Sequence, residues 1–175
     1  ATWPFAASAP DQAWVGDITH LQTRQGPLFL AVIVDVHSRR VVGWAMDHHQ
    51  RLELAERALE MALQHRRPRP GLILHHDRGS QYTSARYRAK SETAKIRLSM
   101  SRPSMPYDNA IAESFFATLK LELMEGPIYS TREQARQAIF EYLEIFYNRI
   151  RMHSSLGYRS PAQAERDYQT TKSVS

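Results

Sequence analysis

The chain has 175 residues, with 23 Lys and Arg against 18 Asp and Glu for a net charge of +5, and no cysteine. Its length predicts one domain, and 42% hydrophobic with 23% charged residues excludes a disordered or fibrous chain. The missing cysteines exclude a disulfide framework, a thiolate zinc site and a cysteine nucleophile, and the longest apolar run, Leu28 to Val34, is far short of the roughly 20 residues that span a bilayer.

Residues 1–10 lack the basic start of a signal peptide and read as an extended linker, which predicts a cytoplasmic protein with no membrane partner. Residues 11–168 read as the core and 169–175 as a tail. Trp14 to Leu21 is rich in strand-forming residues, Gln25-Gly26-Pro27 is a turn, and the apolar stretch Leu28 to Val36 suits a central strand. Val41 to Met46 completes an antiparallel meander. Leu52, Ala55, Leu59 and Ala62 recur at helical spacing between Arg51 and His65, and Pro68 and Pro70 end that helix. Gly71 to Asp77 is a fourth strand, Ser84 to Lys95 a polar helix, and Arg97 to Ser101 a fifth strand before the turn Arg102 to Pro106. A helix capped at Asp108-Asn109 carries the stripe Ala112, Phe116, Leu119 and Leu123, and another runs from Arg132 to Tyr147 through Ala135, Ile139, Leu143 and Phe146. The order predicts an α/β fold, a mixed five-stranded sheet with an antiparallel meander, parallel strands and flanking helices.

Charge is concentrated. Between Asp77 and Asp108 lie seven Lys and Arg against the single acid Glu92, so the rest of the chain is slightly acidic. Interleaved with Tyr82, Tyr87 and Tyr107, this segment has the composition of a phosphate-tracking surface, although a solvated helix face would look the same.

Three acids stand in informative places. Asp17 interrupts the first strand, Asp77 ends the fourth, and Glu113 lies in the first turns of the later helix, with Lys120 two turns further along the same face. A carboxylate in an apolar strand needs a partner, and two of them about 4 Å apart repel by about 4 kcal/mol at an effective dielectric of 20. A hard divalent ion such as Mg²⁺ resolves that conflict; isolated surface acids at strand ends are the plainer alternative. Asp35 is also an acid in a strand, but its place before the His37 turn suits backbone hydrogen bonding.

The blocks Trp14 to Thr19, His75 to Ser84, Tyr107 to Phe116 and Tyr147-Asn148 through His153 to Pro161, with 35 residues between Asp77 and Glu113, resemble the catalytic core of bacterial insertion-sequence transposases of the retroviral integrase (D,D,E) superfamily. The resemblance covers roughly residues 11–168. It implies an RNase H-like fold in which Asp17, Asp77 and Glu113 are catalytic and bind two Mg²⁺ or Mn²⁺ ions. Hydrolysis at a transposon end is followed by 3′-hydroxyl strand transfer, with the two metals stabilising the entering and leaving oxygens. It further implies DNA contacts by Arg78, Asn109, Lys120, Asn148, Arg151 and His153, with transposon ends and target DNA as partners, a homo-oligomer on DNA, and a bacterial, nucleoid-associated location when DNA is bound. Full-length relatives carry an N-terminal helix-turn-helix region that nothing before Asp11 supplies, which predicts a core fragment or truncated product. Pro106 and His76 depart from the family's usual residues. Three rival readings follow: a metallohydrolase built on His48, His49, His75, His76 and Asp77, an RNase H-like nuclease without strand transfer, and a non-catalytic DNA-binding remnant.

Overall fold

A computed structural model of the protein describes residues 7–174 except 78 and 101–108. Strand β1 (Ala13–Thr23) pairs antiparallel with β2 (Gly26–Asp35), which pairs antiparallel with β3 (Val41–Asp47). On the other side of β1, β4 (Ile73–His76) and β5 (Arg97–Met100) add in parallel, giving the order β3-β2-β1-β4-β5. The expected mixed five-stranded sheet is therefore observed. The expected turn at Arg102 to Pro106 lies outside the described residues, as do residues 1–6 of the expected linker.

Helices cover both faces. Helix α1 (Leu52–Arg66), the short α2 (Ser80–Thr83) and α3 (Ala85–Thr93) lie on one side. Helices α4 (Ala110–Met124) and α5 (Arg132–Glu141) lie on the other, and α6 (Pro161–Val174) follows. Leu28, Leu30, Val32 and Val34 point to the α4/α5 layer while Ala31 and Ile33 point to α1. Burial on both faces is why β2 reads as an uninterrupted apolar run. At Gly43 on β3, an added Cβ would overlap the Ala58 carbonyl oxygen and fall 2.8 Å from the Ala62 Cβ, so glycine is what lets α1 approach this strand. Among the described residues, no helix is long and apolar enough to cross a membrane.

Several boundaries differ from the expectations. The predicted helix Ser84 to Lys95 is α3 alone, capped by the Ser84 hydroxyl, which accepts from the Tyr87 amide, and ended by Lys95 in the left-handed region. The predicted helix to Tyr147 changes at Tyr142 into a π-helical turn (Tyr142–Tyr147). Its wider winding moves the inward face by one residue, so Tyr142, Leu143 and Tyr147 are buried and Phe146, expected on the apolar stripe, is exposed. Residues 169–174, expected as a tail, continue α6. Asp35 does what its turn context predicts, accepting from the backbone amides of Asp11, His37 and Ser38.

Candidate active site

The parallel register of β1 and β4 ends at Gly16 opposite His76. Asp17 and Asp77 are therefore the next residues along two adjacent strands. Strand alternation sends Asp17 to the same face as Val15, under α4. Helix α4 docks on that face through Ala112, Phe116 and Leu119, as the sequence predicts, with Phe115 buried as well and Leu123 only partly. Docking by Ala112 brings its neighbour Glu113 to the same end of the sheet.

The three carboxylates sense one another. Burial pushes the Asp17 carboxyl up to about 6, with the charges of Asp77 and Glu113 adding to the rise and the backbone N–H of Ile18, 2.9 Å away, opposing it. They are close enough to repel but are not drawn into a closed binding group. Among the described residues, no set of three or more His, Asp or Glu side chains is arranged to hold a metal ion as it stands. The donor set, all hard carboxylate oxygen, suits Mg²⁺ or Mn²⁺ rather than a soft metal.

Around the acids the outcomes vary. Asn109 stands at the start of α4 but makes no side-chain cap. It is buried, and its amide finds no partner at hydrogen-bonding distance, although it lies near enough to Asp17 to draw that carboxyl's pKa down. Its expected capping role is therefore replaced by an inward one, and a direct contact with DNA would first require it to emerge. Asp108, Tyr107 and Arg78 lie outside the described residues. Lys120 is exposed on α4.

Asn148 was expected to touch DNA. It is buried instead, with its amide oxygen accepting from the Val41 N–H and its amide nitrogen donating to the Val41 carbonyl, both at 2.9 Å. That pair ties the end of the π turn to β3, which is a structural task. Arg151 is held by Glu122 at 2.7 Å, and the His153 ring stands edge-on to Tyr147.

The basic segment is less available than its composition suggests. Arg86 pairs with Glu56 at 2.9 Å and Lys90 with Glu60 at 3.7 Å, so acids of α1 offset part of it. Arg88, Lys95 and Arg97 remain exposed. Tyr82 and Tyr87 are core residues: Tyr82 stacks on His76 with centroids 4.0 Å apart, and Tyr87 meets both edge-on. Neither ring can stack on a base in this arrangement. Burial also holds His76 at about 4, hence neutral, in place beside Asp77. His48 and His49 stand just past the end of β3, an edge strand separated from β4 by β2 and β1, so the histidine-based metallohydrolase lacks a common site.

Residues 7–106 match the integrase core domain family, and residues 94–161 match a second integrase core domain description. The chain is 46% identical over 162 residues to the transposase for insertion sequence element IS904 of Lactococcus lactis subsp. lactis, covering 93% of this chain and 64% of that protein. It is 47% identical over 161 residues to transposase InsF for insertion sequence IS3A of Escherichia coli K12, covering 92% and 56%. The chain thus spans less than two thirds of either relative. In fold it is similar to a chain of the simian T-cell lymphotropic virus intasome in complex with PP2A regulatory subunit B56 gamma, with a TM-score of 0.73 at 20% identity over 91% of this chain and 55% of that one. The HTLV-2 integrase catalytic core domain in complex with magnesium gives 0.64 at 16% identity, over 91% and 99%. These likenesses show the RNase H-like fold of retroviral integrase cores.

Proposed function

The chain belongs to the integrase core domain family, and from that premise we propose that it is the catalytic core of a DNA transposase, acting through Asp17, Asp77 and Glu113. The observation that supports the reading is the raised carboxyl of Asp17, pushed to about 6 by burial first and by the charges of Asp77 and Glu113 after it. Such clustering is costly unless function requires it. In the first step a water oxygen attacks a phosphodiester phosphorus and the 3′-oxygen leaves, taking up a proton. In the second, that 3′-hydroxyl attacks another phosphodiester, losing its proton as the target strand's own 3′-oxygen departs.

Asp17, Asp77 and Glu113 would hold the Mg²⁺ or Mn²⁺, two ions in the full complement. Bound there, the cations supply positive charge to the entering and leaving oxygens of an in-line displacement. The chain's own contribution would be positional: Asp17 and Asp77 each follow the last paired residues of β1 and β4, and the buried stripe of α4 would carry Glu113 toward them. Arg78 and Lys120 bind backbone phosphates, and Asn109 reaches DNA only after leaving its buried place. The working form is a homo-oligomer on transposon ends and target DNA in the bacterial cytoplasm. The HTLV-2 integrase core has been solved in trimeric and dimeric forms.

The test is incubation of the chain with labelled, pre-cleaved ends of its element and a plasmid, in Mg²⁺ or Mn²⁺, scored for joined product. Joining supports the reading. Nicking without joining would reduce the protein to a nuclease, and binding without either would leave a DNA-binding remnant.

A further inference from the structure

We propose that a pocket on the flank of α4 away from Glu113 binds a backbone phosphate of DNA, with Arg39 as its principal cation. The choice of DNA as the source of that phosphate rests on the transposase reading, but the pocket itself does not.

The pocket has a volume of about 340 Å³ and lies between the β2–β3 turn, α4 and the segment after the π turn. Arg39, Ser114, Thr118, Tyr147, Arg151 and His153 line it, and among the described residues no acid does. At about 100° per residue, Ser114 and Thr118 fall on one flank of the buried Ala112, Phe116 and Leu119 stripe, and Glu113 with Lys120 on the other. A phosphate held here is therefore a different one from the phosphate that reacts.

Arg39 is the feature that calls for a ligand. Its guanidinium is half-buried and makes no hydrogen bond or ion pair with any described residue. Burial lowers its pKa, with Tyr147 and the charge of Asp35 opposing from a distance, and because a guanidinium stays charged in proteins its buried donors are left without a direct partner. The acid nearest in sequence, Asp35, spends its oxygens on backbone amides. Arg39 also adopts φ of +62° in its turn, an uncommon conformation for a residue with a Cβ. Arg151 differs, because Glu122 neutralises it through contacts of 2.7 Å.

The remaining groups are donors. The hydroxyls of Ser114, Thr118 and Tyr147 are neutral hydrogen-bond donors of the kind that phosphate oxygens accept. His153 Nε2 is buried without a partner. The ring is held at about 4 by burial and by the charges of Arg151 and Arg39, with Glu122 opposing and Tyr147 packed against it. An anion beside Arg39 would reverse that balance, so the imidazole is a reporter of occupancy. Arg39 carried no signal in the sequence, because nothing in a turn reading His37-Ser-Arg-Arg40 separates an unpaired arginine from the paired Arg40.

The experiment follows the His153 imidazole by NMR in the full chain, in EDTA, during titration with inorganic phosphate and separately with a short DNA duplex. Duplex affinity and melting temperature are measured for wild type, Arg39→Asn, which tolerates the left-handed backbone, and Arg39→Lys. The expected result is that duplex shifts the His153 signals and raises its pKa from about 4. Arg39→Asn should lose about five- to tenfold in affinity with a salt slope lower by about one, Arg39→Lys should recover part of that loss, and all three should melt alike. A His153 signal unmoved by duplex, or Arg39→Asn binding like wild type, overturns the proposal. A response to inorganic phosphate but not to duplex makes this a free-phosphate site and overturns DNA as the ligand. If Arg39→Asn unfolds, the wild-type His153 titration decides alone. Because no divalent ion is present, a chain that joins no DNA ends but still reports duplex at His153 loses the transposase reading and keeps this one.

Discussion

Two groups of acids in this protein are treated in opposite ways. In the first, Glu165 on α6 accepts from Arg66 at 2.8 and 3.0 Å, from Arg40 at 2.9 Å and from the Ser38 hydroxyl at 2.8 Å, while Asp11 takes the Arg66 Nε at 2.8 Å. Hydrogen bonds and charge from Arg66 hold Glu165 below the usual carboxylate range despite its burial. In the second, Asp17 faces Asp77 and Glu113, has one backbone N–H for support, and rises to about 6. Elevation alone does not mark function, since burial raises Asp35 too and Asp35 is fully engaged with backbone donors. What separates the groups is the source of the compensating charge: internal arginines for Glu165 and Asp11, and no cation among the described residues for Asp17.

The largest effect should come from removing a charge in the second group. Glu113→Gln keeps shape and hydrogen-bonding reach but withdraws a carboxylate, so DNA joining should fall at least about a thousandfold, which is about 4 kcal/mol of barrier. Folding should be untouched, because Glu113 is exposed and outside the buried stripe. Joining rates and thermal melts on one preparation test both halves. Near wild-type joining, or an unfolded variant, would make Glu113 a structural acid and dissolve the distinction between the groups.

Removing the cation of the first group should do the reverse. Arg66→Met leaves Glu165 and Asp11 without their main partner, and a buried pair broken on one side costs about 3–5 kcal/mol of stability. Denaturant unfolding measures the loss, while joining per folded molecule should be preserved, since Arg66 is tied to Asp11 ahead of β1 and to Glu165 on α6. Adding Glu165→Gln should recover part of the stability. A loss below about 1 kcal/mol would mean that the network is an ornament of the surface and not the tether of α6.

Much of this contrast was legible in the sequence and part was not. The sheet could be read because β2 is buried on both faces and β1 and β3 carry strand-forming residues between tight turns. The three acids stood out by interrupting apolar context at Asp17, by ending a strand at Asp77 and by recurring motif spacing to Glu113. Arg66 and Glu165 gave no such signal, since they lie 99 positions apart and each looks like an ordinary helix charge until α1 and α6 meet. The same holds for Tyr82 and Tyr87, which composition offered as part of a phosphate-tracking surface and tertiary packing turned into neighbours of His76. Asn148 was read by its motif as a DNA contact, and only the return of the chain to Val41 reveals its backbone role.

The smallest effect is also the one whose sign most directly separates the two groups. Asp17 has a folded pKa of about 6 against an ordinary value of 3.8, so its ionisation is harder in the folded state. For an acid raised on folding, the penalty is absent below the unfolded value, grows as pH climbs from about 4 to about 6, and is complete above that. Asp17→Asn should therefore leave stability unchanged at pH 3 and increase it by roughly 1–3 kcal/mol at pH 8 in EDTA. Glu165→Gln should go the other way at pH 8, because Glu165 is lowered on folding and its ion pairs contribute fully only when it is ionised. Saturating Mn²⁺ should then reorder the first pair, raising the melting temperature of wild type while leaving Asp17→Asn nearly unmoved, since a ligand stabilises only the state that binds it. An Asn variant no more stable than wild type at pH 8 would mean that the Asp17 charge is already compensated within the chain, and the cluster would lose the property that distinguishes it from the Arg66 network.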